Sequence, residues 1–453
     1  MPRALVYLIY NSLLPFVLLL GFPSFIIKGL RRGGLKRNFR QRFGHFRPEI
    51  RKTIAGKDTI WIHAVSVGEV FLALKIIEAI QSLNPNQYIV LTTTTTTGHA
   101  VADEKASDTL SIIHNPVDLP WVVSSVLDLI RPKVIVLVES EIWPNLLAAA
   151  GKRDIPVKLA NARLSPRSGR RYASFHPFIE PIFSQLDAVS VPFETDRPRW
   201  SALGIPEERI EILGSVKFDQ AGGNEVSNRK VIEIREWLTD TGLPESSKIL
   251  LAGSTHDGEE RLIASIFSNL RKKLPDLALV IVPRHAERAG EIESQLSSQG
   301  FTVLLKAGSN RIEPSTPEGL RDTATHVWIA NTTGELRAWF HLAEAVVIGK
   351  SFCGEGGQNP VEPILAGRPV IVGPNMQNFG EVMEDLISAN GVRQLSSPDE
   401  LEPALLEVFQ NPEESTAMAQ RGTEAMTRHI GAAERTARFI LEEKSGRAVR
   451  TST

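Results

Sequence analysis

The sequence is poor in the residues that form disulfides and metal sites. Its 453 residues include a single cysteine, Cys353, and ten histidines. One cysteine excludes a disulfide within the chain and is typical of proteins from a reducing compartment. Because the histidines and Cys353 do not occur at the spacings of zinc ligands, we do not expect a structural zinc site.

Net charge is also nearly absent, but the charges are unevenly distributed. The whole chain has a formal net charge of −1. Between Lys28 and Lys52, however, ten Lys and Arg residues are opposed by a single acid, Glu49. One basic segment in an otherwise acidic chain argues against a general nucleic-acid-binding protein. It favours contact with one anionic surface near the N-terminus instead.

A third absence is that of charge near the N-terminus, where no charged residue occurs from Ala4 to Ile27. These 24 residues are about as many as a helix needs to cross a hydrocarbon core of about 30 Å. Basic residues follow the stretch, so the positive-inside rule places the rest of the chain in the cytoplasm. We therefore predict a membrane anchor over residues 1–30. A half-inserted monotopic helix and a cleaved signal peptide are the alternatives.

From about residue 57 the sequence alternates between segments typical of strands and segments with helical periodicity. Continuous apolar runs are expected in parallel strands that helices cover on both faces. The alternation predicts doubly wound parallel sheets in an α/β protein. The predicted strands are "TIWIHAV", "YIVLTTTTTT", "KVIVLVES" and "DAVSVPF" in the first half, and "KILLAGST", "LALVIVPRH", "HVWIA", "EAVVIGKS" and "PVIVGP" in the second.

A polar stretch with two glycines, "DQAGGNEVSNRK" from Asp219 to Lys230, separates the two series of strands. It predicts a linker between an N-terminal domain of residues 31–220 and a C-terminal domain of residues 221–453, the latter including the C-terminal helices. Two Rossmann-like domains joined in this way are expected to bind ligand in the cleft where the ends of their strands face each other.

Carboxylates follow two of the predicted strands in the first domain. Glu69 comes after "WIHAVSVG" and opens a helix, where the helix dipole and free N–H groups favour the ionised side chain. It is a candidate general base, or a residue that only caps its helix. Glu139 and Glu141 follow "KVIVLV", and on an extended backbone they share one side. They belong to a ligand site or have a salt-bridge or turn role.

Cations that could bind an anionic substrate occur in two further segments. The segment "NARLSPRSGRRY" carries Arg163, Arg167, Arg170 and Arg171, and arginine binds phosphate or carboxylate through two hydrogen bonds. A solvated basic loop is the alternative. Lys217, in "GSVKFD", lies close to the linker and could stabilise developing negative charge. A surface lysine is the alternative there.

Turns in the second domain have the composition of a nucleotide site. "STHDGEE", from Ser254 to Glu260, follows a strand and opens a helix. This position favours either phosphate binding at the helix N-terminus or an ordinary helix cap. The segment from Gly354 to Pro374, "GEGGQNPVEPILAGRPVIVGP", combines a glycine loop, a helix start and a strand. Glu362 would lie in the first turn of that helix, where a carboxylate can accept hydrogen bonds from both hydroxyls of a ribose. The combination predicts nucleotide-sugar binding.

These motifs together resemble the Kdo transferases, which add 3-deoxy-D-manno-octulosonic acid (Kdo) to lipid A precursor. The resemblance covers nearly the whole chain, in order, and includes the N-terminal anchor. The matching segments are "HAVSVGE", "VLVESEIWPN", "NARLSPRS", "GSVKFD", "STHDGEE", "PRHAER", "TTGEL", "GGQNPVEP" and "GPNMQNF".

The resemblance implies a GT-B fold with an N-terminal membrane-anchor helix, and inverting, metal-independent transfer of Kdo from CMP-Kdo to lipid IVA. It implies a place in lipopolysaccharide biosynthesis on the cytoplasmic side of the inner membrane, next to anionic lipids, without cofactor or nucleic acid. Another GT-B glycosyltransferase that uses a UDP-sugar and a non-catalytic GT-B membrane subunit are the alternatives. A preference for cytidine over uridine nucleotides would distinguish a Kdo transferase from the enzyme that uses a UDP-sugar. Turnover that depends on Glu69 would exclude the non-catalytic subunit.

By motif match, Glu69 is expected to be the proton acceptor, and Glu139 and Lys217 are expected to stabilise the transition state. Gln358 stands where the family often has histidine, and because glutamine carries no charge, an acid–base role does not transfer to it. Lys350 and Glu344 also depart from the family pattern. The expected CMP-binding residues are Pro283, Arg284, Thr333, Gly334, Glu335, Asn359, Pro360, Val361 and Glu362.

Overall fold

The computed structural model describes residues 1–31, 39–164, 166–219, 228–307 and 325–442, with only the backbone described for 21–31, 166 and 167. The chain forms two compact units. The first comprises Met1–Asp219 and the chain from Gly431 onward, and the second comprises Gln220–Ile430. The predicted linker falls mostly on residues 220–227, outside the described residues.

A seven-stranded parallel sheet forms the centre of the first unit, in the order β3-β2-β1-β4-β5-β6-β7. Strand order reverses between β1 and β4, and ligands bind at such a reversal in doubly wound sheets. The strands are β1 Thr59–Ala64, β2 Tyr88–Thr93, β3 Leu110–His114, β4 Pro132–Val138, β5 Val157–Ala160, β6 Ala188–Val191 and β7 Ile210–Ile212.

Helices cover both faces of this sheet, and successive side chains of β1 enter different core clusters. Trp61 packs in one cluster, and Ile60 and Ile62 pack in the other, as the alternation of side chains along a strand requires. The helices of this unit up to Asp219 are α1 Arg3–Arg31, α2 Pro48–Ile54, α3 Val67–Leu83, α4 Thr96–Asp103, α5 Pro120–Ile130, α6 Pro144–Gly151, α7 Pro166–Ser174, α8 His176–Phe183 and α9 Arg197–Ser201, with 3₁₀ turns at Phe39–Phe43, Glu194–Asp196, Glu207–Arg209 and Val216–Phe218.

The second unit repeats the plan with a second parallel sheet, in the order β10-β11-β9-β8-β12-β13-β14. Its strand order reverses between β8 and β12. The strands are β8 Lys248–Thr255, β9 Leu277–Pro283, β10 Thr302–Leu305, β11 His326–Ile329, β12 Ala345–Ile348, β13 Val370–Val372 and β14 Arg393–Gln394.

Amphipathic helices surround this second sheet. Leu250 and Ala252 of β8 pack in one core cluster with Ile263 and Phe267 from the helix that follows β8. The helices are α10 Asn228–Asp240, α11 Glu259–Arg271, α12 Ala289–Ser298, α13 Leu336–Leu342, α14 Val361–Leu365, α15 Gly380–Ser388, α16 Leu401–Gln410 and α17 Pro412–Thr427, with 3₁₀ turns at Ala286–Arg288, Gln377–Phe379 and Pro398–Glu400.

The helix α18, Ala432–Leu441, differs from the sequence expectation, which placed it in the second domain. Its apolar residues Ala437, Phe439 and Ile440 join a core cluster of the first sheet. The buried Lys158 of β5 donates hydrogen bonds to the carbonyl oxygens of Phe439 and Glu442. The sequence predicts an apolar face on this helix, but its pattern does not indicate which sheet that face covers.

The N-terminal helix α1 includes the predicted anchor. Its window Arg3–Leu20 has a mean hydropathy of 1.7, and α1 is the one helix within the described residues that is long and apolar enough to cross a membrane. Only about 6% of that window is buried in the protein. An apolar helix so exposed to solvent is suited to contact with lipid.

Candidate active site

The loops after β1 and β4 bring the predicted carboxylates of the first unit together. The two strands are parallel neighbours in the sheet, so both loops leave its carboxyl edge, at the reversal of strand order. Burial, with repulsion from Glu69 and Glu139, raises the pKa of Glu141 to about 7. The pairing of β1 with β4 thus places the turn of Glu69 beside the loop of Glu139 and Glu141.

Glu69 is held in a reciprocal capping arrangement at the start of α3. Its N–H donates to Ser66 Oγ over 3.3 Å. In return, Glu69 Oε1 accepts from Ser66 Oγ and Oε2 accepts from the N–H of Val65, both at 2.8 Å. The helix-cap alternative therefore describes what this side chain does in the structure. Because each carboxylate oxygen has two lone pairs, the cap also leaves acceptor capacity for a proton. The base role of Glu69 stays a prediction.

Glu139 occupies a strained backbone conformation at the end of β4. Its φ is +59°, which is uncommon for a residue with a side chain and clusters at functional sites. Arg163, from the predicted arginine segment, lies 3.5 Å from Glu139 through Nη1 and Oε1. Arg163 and Glu139 thus form an ion pair. Arg170 and Arg171 lie exposed on α7, as expected for solvated residues, and the side chain of Arg167 lies outside the description.

The turn that carries Lys217 is attached to the same edge of the sheet. The N–H of Val216 donates to Asn161 Oδ1 over 3.1 Å, just after β5. Lys75 of α3 donates through Nζ to the carbonyl oxygens of Val216 and Lys217, each at 3.2 Å. The side chain of Lys217 is exposed. Since α3 also carries Glu69, these bonds tie the backbone of the lysine to the element that holds the carboxylate.

In the second unit, a carboxylate that the sequence analysis did not single out joins the loops after β8 and β12. Glu259, in the first turn of α11, is fully buried. Its Oε2 accepts from the N–H groups of His256 at 2.9 Å and Lys350 at 2.6 Å. Its Oε1 accepts from Phe352 at 3.0 Å and Cys353 at 3.4 Å. One side chain therefore shapes both loops at the reversal of strand order. Its presence in "STHDGEE" was the only signal in the sequence.

The glycine loop requires its glycines and approaches the turn after β8. Gly356 and Gly357 have φ values of +97° and +70°, and a Cβ on either would collide with side chains of residues 376–378. Next to them, Gln358 Nε2 lies 3.2 Å from His256 Nε2. The uncharged Gln358 is therefore a hydrogen-bond partner of an imidazole. Lys350, the other departure from the pattern, donates its N–H to Glu259.

Glu362, in the expected CMP-binding segment of residues 359–362, is held by Asn359 and Arg337. Asn359 Oδ1 accepts from the N–H of Val361 at 3.0 Å, and its Nδ2 donates to Glu362 Oε1 over 3.2 Å. Arg337 of α13 lies 3.4 Å from the other oxygen of that carboxylate. Asn359 and Arg337 thus orient Glu362, which stays partly exposed, while Pro360 is buried beside it.

Glu335 is bound to cations of the protein itself. Lys306 contacts its carboxylate at 2.5 Å and Lys230 at 2.9 Å, and Thr332 also donates to it. Burial opposes ionisation of this buried group, but hydrogen bonds from Lys306, Thr332 and Lys230 lower its pKa overall. The carboxylate therefore holds the turn in place. The adjacent Thr333 and Gly334 are exposed.

Other expected residues lie at strand ends or in strand connections. Pro283 is the last residue of β9, and the exposed Arg284 donates its N–H to the carbonyl of Thr255 over 3.0 Å. Glu344, before β12, accepts the N–H of Ile249 at 2.6 Å, which is a structural contact. Within the described parts of the chain, no group of three or more His, Cys, Asp or Glu is arranged to hold a metal ion.

Two parallel seven-stranded sheets, each with one reversal of strand order, form the GT-B fold, and the predicted fold class is confirmed. A solved structure of the same fold is the UDP-GlcNAc 2-epimerase from Neisseria meningitidis bound to UDP-GlcNAc. It matches with a TM-score of 0.52 and 15% identity over 84% of this chain and 99% of that one.

Sequence comparison is more specific. The family model described as 3-deoxy-D-manno-octulosonic-acid transferase (kdotransferase) matches residues 37–220. The 3-deoxy-D-manno-octulosonic acid transferase of Haemophilus influenzae is 32% identical over 378 residues, which are 83% of this chain and 85% of that protein. The same transferase of Bordetella pertussis is 30% identical over 389 residues, with the same two coverages. The chain therefore belongs to the Kdo transferase family and is a glycosyltransferase, as the nine motifs predict. Neither alternative function is favoured.

Proposed function

We propose that this protein transfers Kdo from CMP-Kdo to the lipid A precursor lipid IVA, with inversion at the anomeric carbon and without a metal ion. The observation that carries the proposal is the group of three carboxylates, Glu69, Glu139 and Glu141, at the strand-order reversal of the first sheet in a member of this family. The reaction belongs to lipopolysaccharide biosynthesis.

The acceptor hydroxyl must lose a proton as it attacks the anomeric carbon of Kdo. Glu69 takes that proton, because its carboxylate is held in one direction by Ser66 and Val65 and keeps unused lone pairs. The new carbon–oxygen bond forms on the face opposite CMP. The bond from the anomeric carbon to the phosphate oxygen breaks, and CMP leaves with the electron pair.

Charge develops on both sides of the breaking bond. The anomeric carbon becomes positive, which the carboxylate of Glu139 stabilises, and the departing phosphate becomes more negative, which Lys217 stabilises. Glu141, with a pKa of about 7, is half protonated near neutral pH. In its protonated form, Glu141 adds no third negative charge beside Glu69 and Glu139.

The second unit binds the nucleotide of the donor. Glu362, oriented by Asn359 and Arg337, accepts the hydroxyls of the ribose. Arg284 and Thr333 are exposed after β9 and β11, where their side chains can bind the phosphate and the base. Glu335 keeps the turn of Thr333 in place through Lys306 and Lys230.

The enzyme acts on the cytoplasmic side of the inner membrane. The exposed apolar helix α1 contacts lipid, and the basic residues between Lys28 and Lys52 lie where anionic headgroups are found. A lipid acceptor that resides in the membrane is then presented to an enzyme held at the same surface.

The test is transfer from CMP-Kdo, generated in situ, to a tetraacyl lipid A precursor, read by mass spectrometry on the full chain. We expect mass increments of Kdo, none with UDP-GlcNAc as donor, and formation of the Kdo product slowed by about 10²–10⁴-fold in the Glu69→Gln variant. Glu208→Gln, at an exposed position of the first unit, is the matched control and should retain activity. If only UDP-GlcNAc gave a mass increment, the proposed Kdo transfer would be wrong and only the assignment of the GT-B fold would remain.

A further inference from the structure

The first turns of α1 are bound to the first unit by polar contacts that are distant in sequence. Tyr7 Oη donates to the carbonyl of Pro144 over 2.8 Å and accepts from Gln185 Nε2 at 2.8 Å. Val6, one residue earlier, is 3% exposed. This end of the apolar stretch therefore packs on protein.

The following turn continues the attachment. Tyr10 Oη donates to Asp118 Oδ2 over 2.9 Å. The side-chain amides of Asn11 and Asn145 donate to each other at 3.1 and 2.8 Å. Asp118 also accepts the N–H groups of Asn145 and Leu146 at the start of α6. Because the same carboxylate holds α6 and α1, this end of α1 is part of the folded unit.

Beyond Leu14 the described side chains of α1 lie at the surface. All side chains from Pro15 to Leu20 are exposed. The uncharged residues that remain, Pro15 to Ile27, number 13 and span about 20 Å as a helix. A hydrocarbon core is about 30 Å thick. Whatever its side chains contact, this part of α1 is too short to cross it.

The chain after α1 returns to the same unit. Arg42 donates to the carbonyl of Thr94 over 2.6 Å, and Gln41 Oε1 accepts the N–H of His114 at 3.0 Å. Seven residues separate Arg31 from Phe39, and whatever their path, they reach at most about 29 Å. A helix end beyond a bilayer of about 40–45 Å, headgroups included, could not be connected in this way.

We infer that α1 is a monotopic anchor, which lies in one leaflet and begins and ends on the side of the catalytic units. This deepens the proposed membrane location and rests on it. The lipid-facing surface extends beyond α1 to Phe43 and Trp121, which are 40% and 68% exposed. Together with α1 they line a groove of about 730 Å³ with an apolar surface, which acyl chains of that leaflet fill. Such exposed apolar patches, and tryptophan in particular, are typical of membrane contacts.

The groove adjoins the carboxyl edge of the first sheet, where the three carboxylates lie. Trp143 lines it and lies two residues after Glu141 in the loop that follows β4. The His63 and Trp143 rings are 6.0 Å apart at the end of β1. A lipid whose acyl chains occupy the groove therefore has its headgroup close to the three carboxylates, as an acceptor with a membrane-embedded tail requires.

The topology is tested with single-cysteine variants of the full chain. In a Cys353→Ser background, Arg3→Cys reports the start of α1, and Glu208→Cys reports the side on which the first unit lies; both positions are exposed. Spheroplasts are treated with a membrane-impermeant maleimide before and after lysis. We expect both cysteines to react only after lysis. Labelling of Arg3→Cys in intact spheroplasts, with Glu208→Cys protected, would show a crossing helix and overturn the inference.

A second measurement tests the lipid-facing surface without relying on activity. Tryptophan fluorescence is recorded with vesicles of phosphatidylethanolamine and phosphatidylglycerol that contain brominated acyl chains. Trp121→Phe should reduce the quenching, with Trp143 of the groove accounting for part of what remains, and Trp237→Phe, in the second unit, should leave it unchanged. Equal quenching in the wild type and Trp121→Phe would contradict the assigned surface. Protein that stays in the supernatant with vesicles would instead contradict the membrane location itself.

Discussion

Ser66 and Glu69 cap each other at the start of α3, with the hydroxyl donating to Oε1 over 2.8 Å and accepting from the glutamate N–H at 3.3 Å. The residue expected to take the acceptor proton is thus also a helix-capping residue. Stability and the proposed chemistry can be separated here, because the cap needs only a hydrogen-bonding side chain whereas the proposed proton transfer needs a carboxylate.

Glu69→Gln should lower turnover by about 10²–10⁴-fold, the usual contribution of a general base. Glutamine still satisfies a capping box, so the free energy of unfolding should change by no more than about 1 kcal/mol. Ser66→Ala should cost about 1 kcal/mol in stability and lower turnover less than Glu69→Gln does, because the N–H of Val65 still holds the carboxylate. Turnover by mass spectrometry and denaturant unfolding measure the two effects. Near-normal turnover of Glu69→Gln would leave this residue with its capping role alone.

Glu141→Gln should stabilise the protein at alkaline pH. The pKa of Glu141 is about 7 in the folded protein and about 4.3 in an unfolded chain. The folded state therefore loses stability as the pH rises from about 4.5 to about 7. Since the carboxyl group is partly exposed, we expect the variant to be more stable by only about 1–2 kcal/mol at pH 8, with no difference near pH 4.5. Urea unfolding at both pH values checks this, with Glu208→Gln as control. A gain of equal size at both pH values would contradict it.

Glu259→Gln should weaken donor binding through the shape of two loops. The carboxylate accepts four backbone N–H groups, and an amide would direct its own NH₂ group at two of these donors. Burying unsatisfied donors costs about 1–3 kcal/mol each. We expect a lower melting temperature and a CMP dissociation constant raised at least about tenfold, measured by calorimetry. Glu260→Gln, on the next residue of α11, is the control for CMP binding. Unchanged CMP affinity in Glu259→Gln would contradict the loop-shaping role.

Lys217→Met should reduce kcat and leave the affinity for CMP nearly unchanged. The side chain is exposed, so stability should change little, within about 0.5 kcal/mol. A cation that stabilises the departing phosphate acts mainly in the transition state, and loss of such a contact lowers turnover by about 10²–10³-fold. Steady-state kinetics with CMP-Kdo separate kcat from KM. A rise in KM alone would assign Lys217 to donor binding.

The inner strands of both sheets, except β5, could be predicted from the sequence, whereas the four edge strands, β3, β7, β10 and β14, could not. Strands such as β4 and β8 are long apolar runs, and their alternation with helices predicts the parallel sheets. By contrast, β7 has three residues and β14 has two. Segments of this length contain no measurable periodicity. Their positions depend on the neighbouring strands that they extend.

In the candidate site, residues within local motifs could be predicted, whereas contacts between residues distant in the sequence could not. Glu69 and Glu139 follow strands, and their motifs indicated them. Glu259 was overlooked because the groups it binds include the N–H of Lys350, 91 residues later in the chain. Backbone donors carry no side-chain signature, so the sequence contains no sign of this contact. The pairing of Glu335 with Lys306 is hidden for a similar reason, since a surface lysine and a paired lysine look alike in a sequence.

The packing of α18 has a consequence for how the chain folds. Lys158, on a central strand of the first unit, finds acceptors at Phe439 and Glu442, which are synthesised after the whole second unit. When the first half of the chain emerges from the ribosome, these two acceptors of Lys158 have therefore not yet been synthesised. A fragment that ends at the linker would lack them permanently, so expression of the first unit by itself calls for residues 431–442 to be fused back onto it.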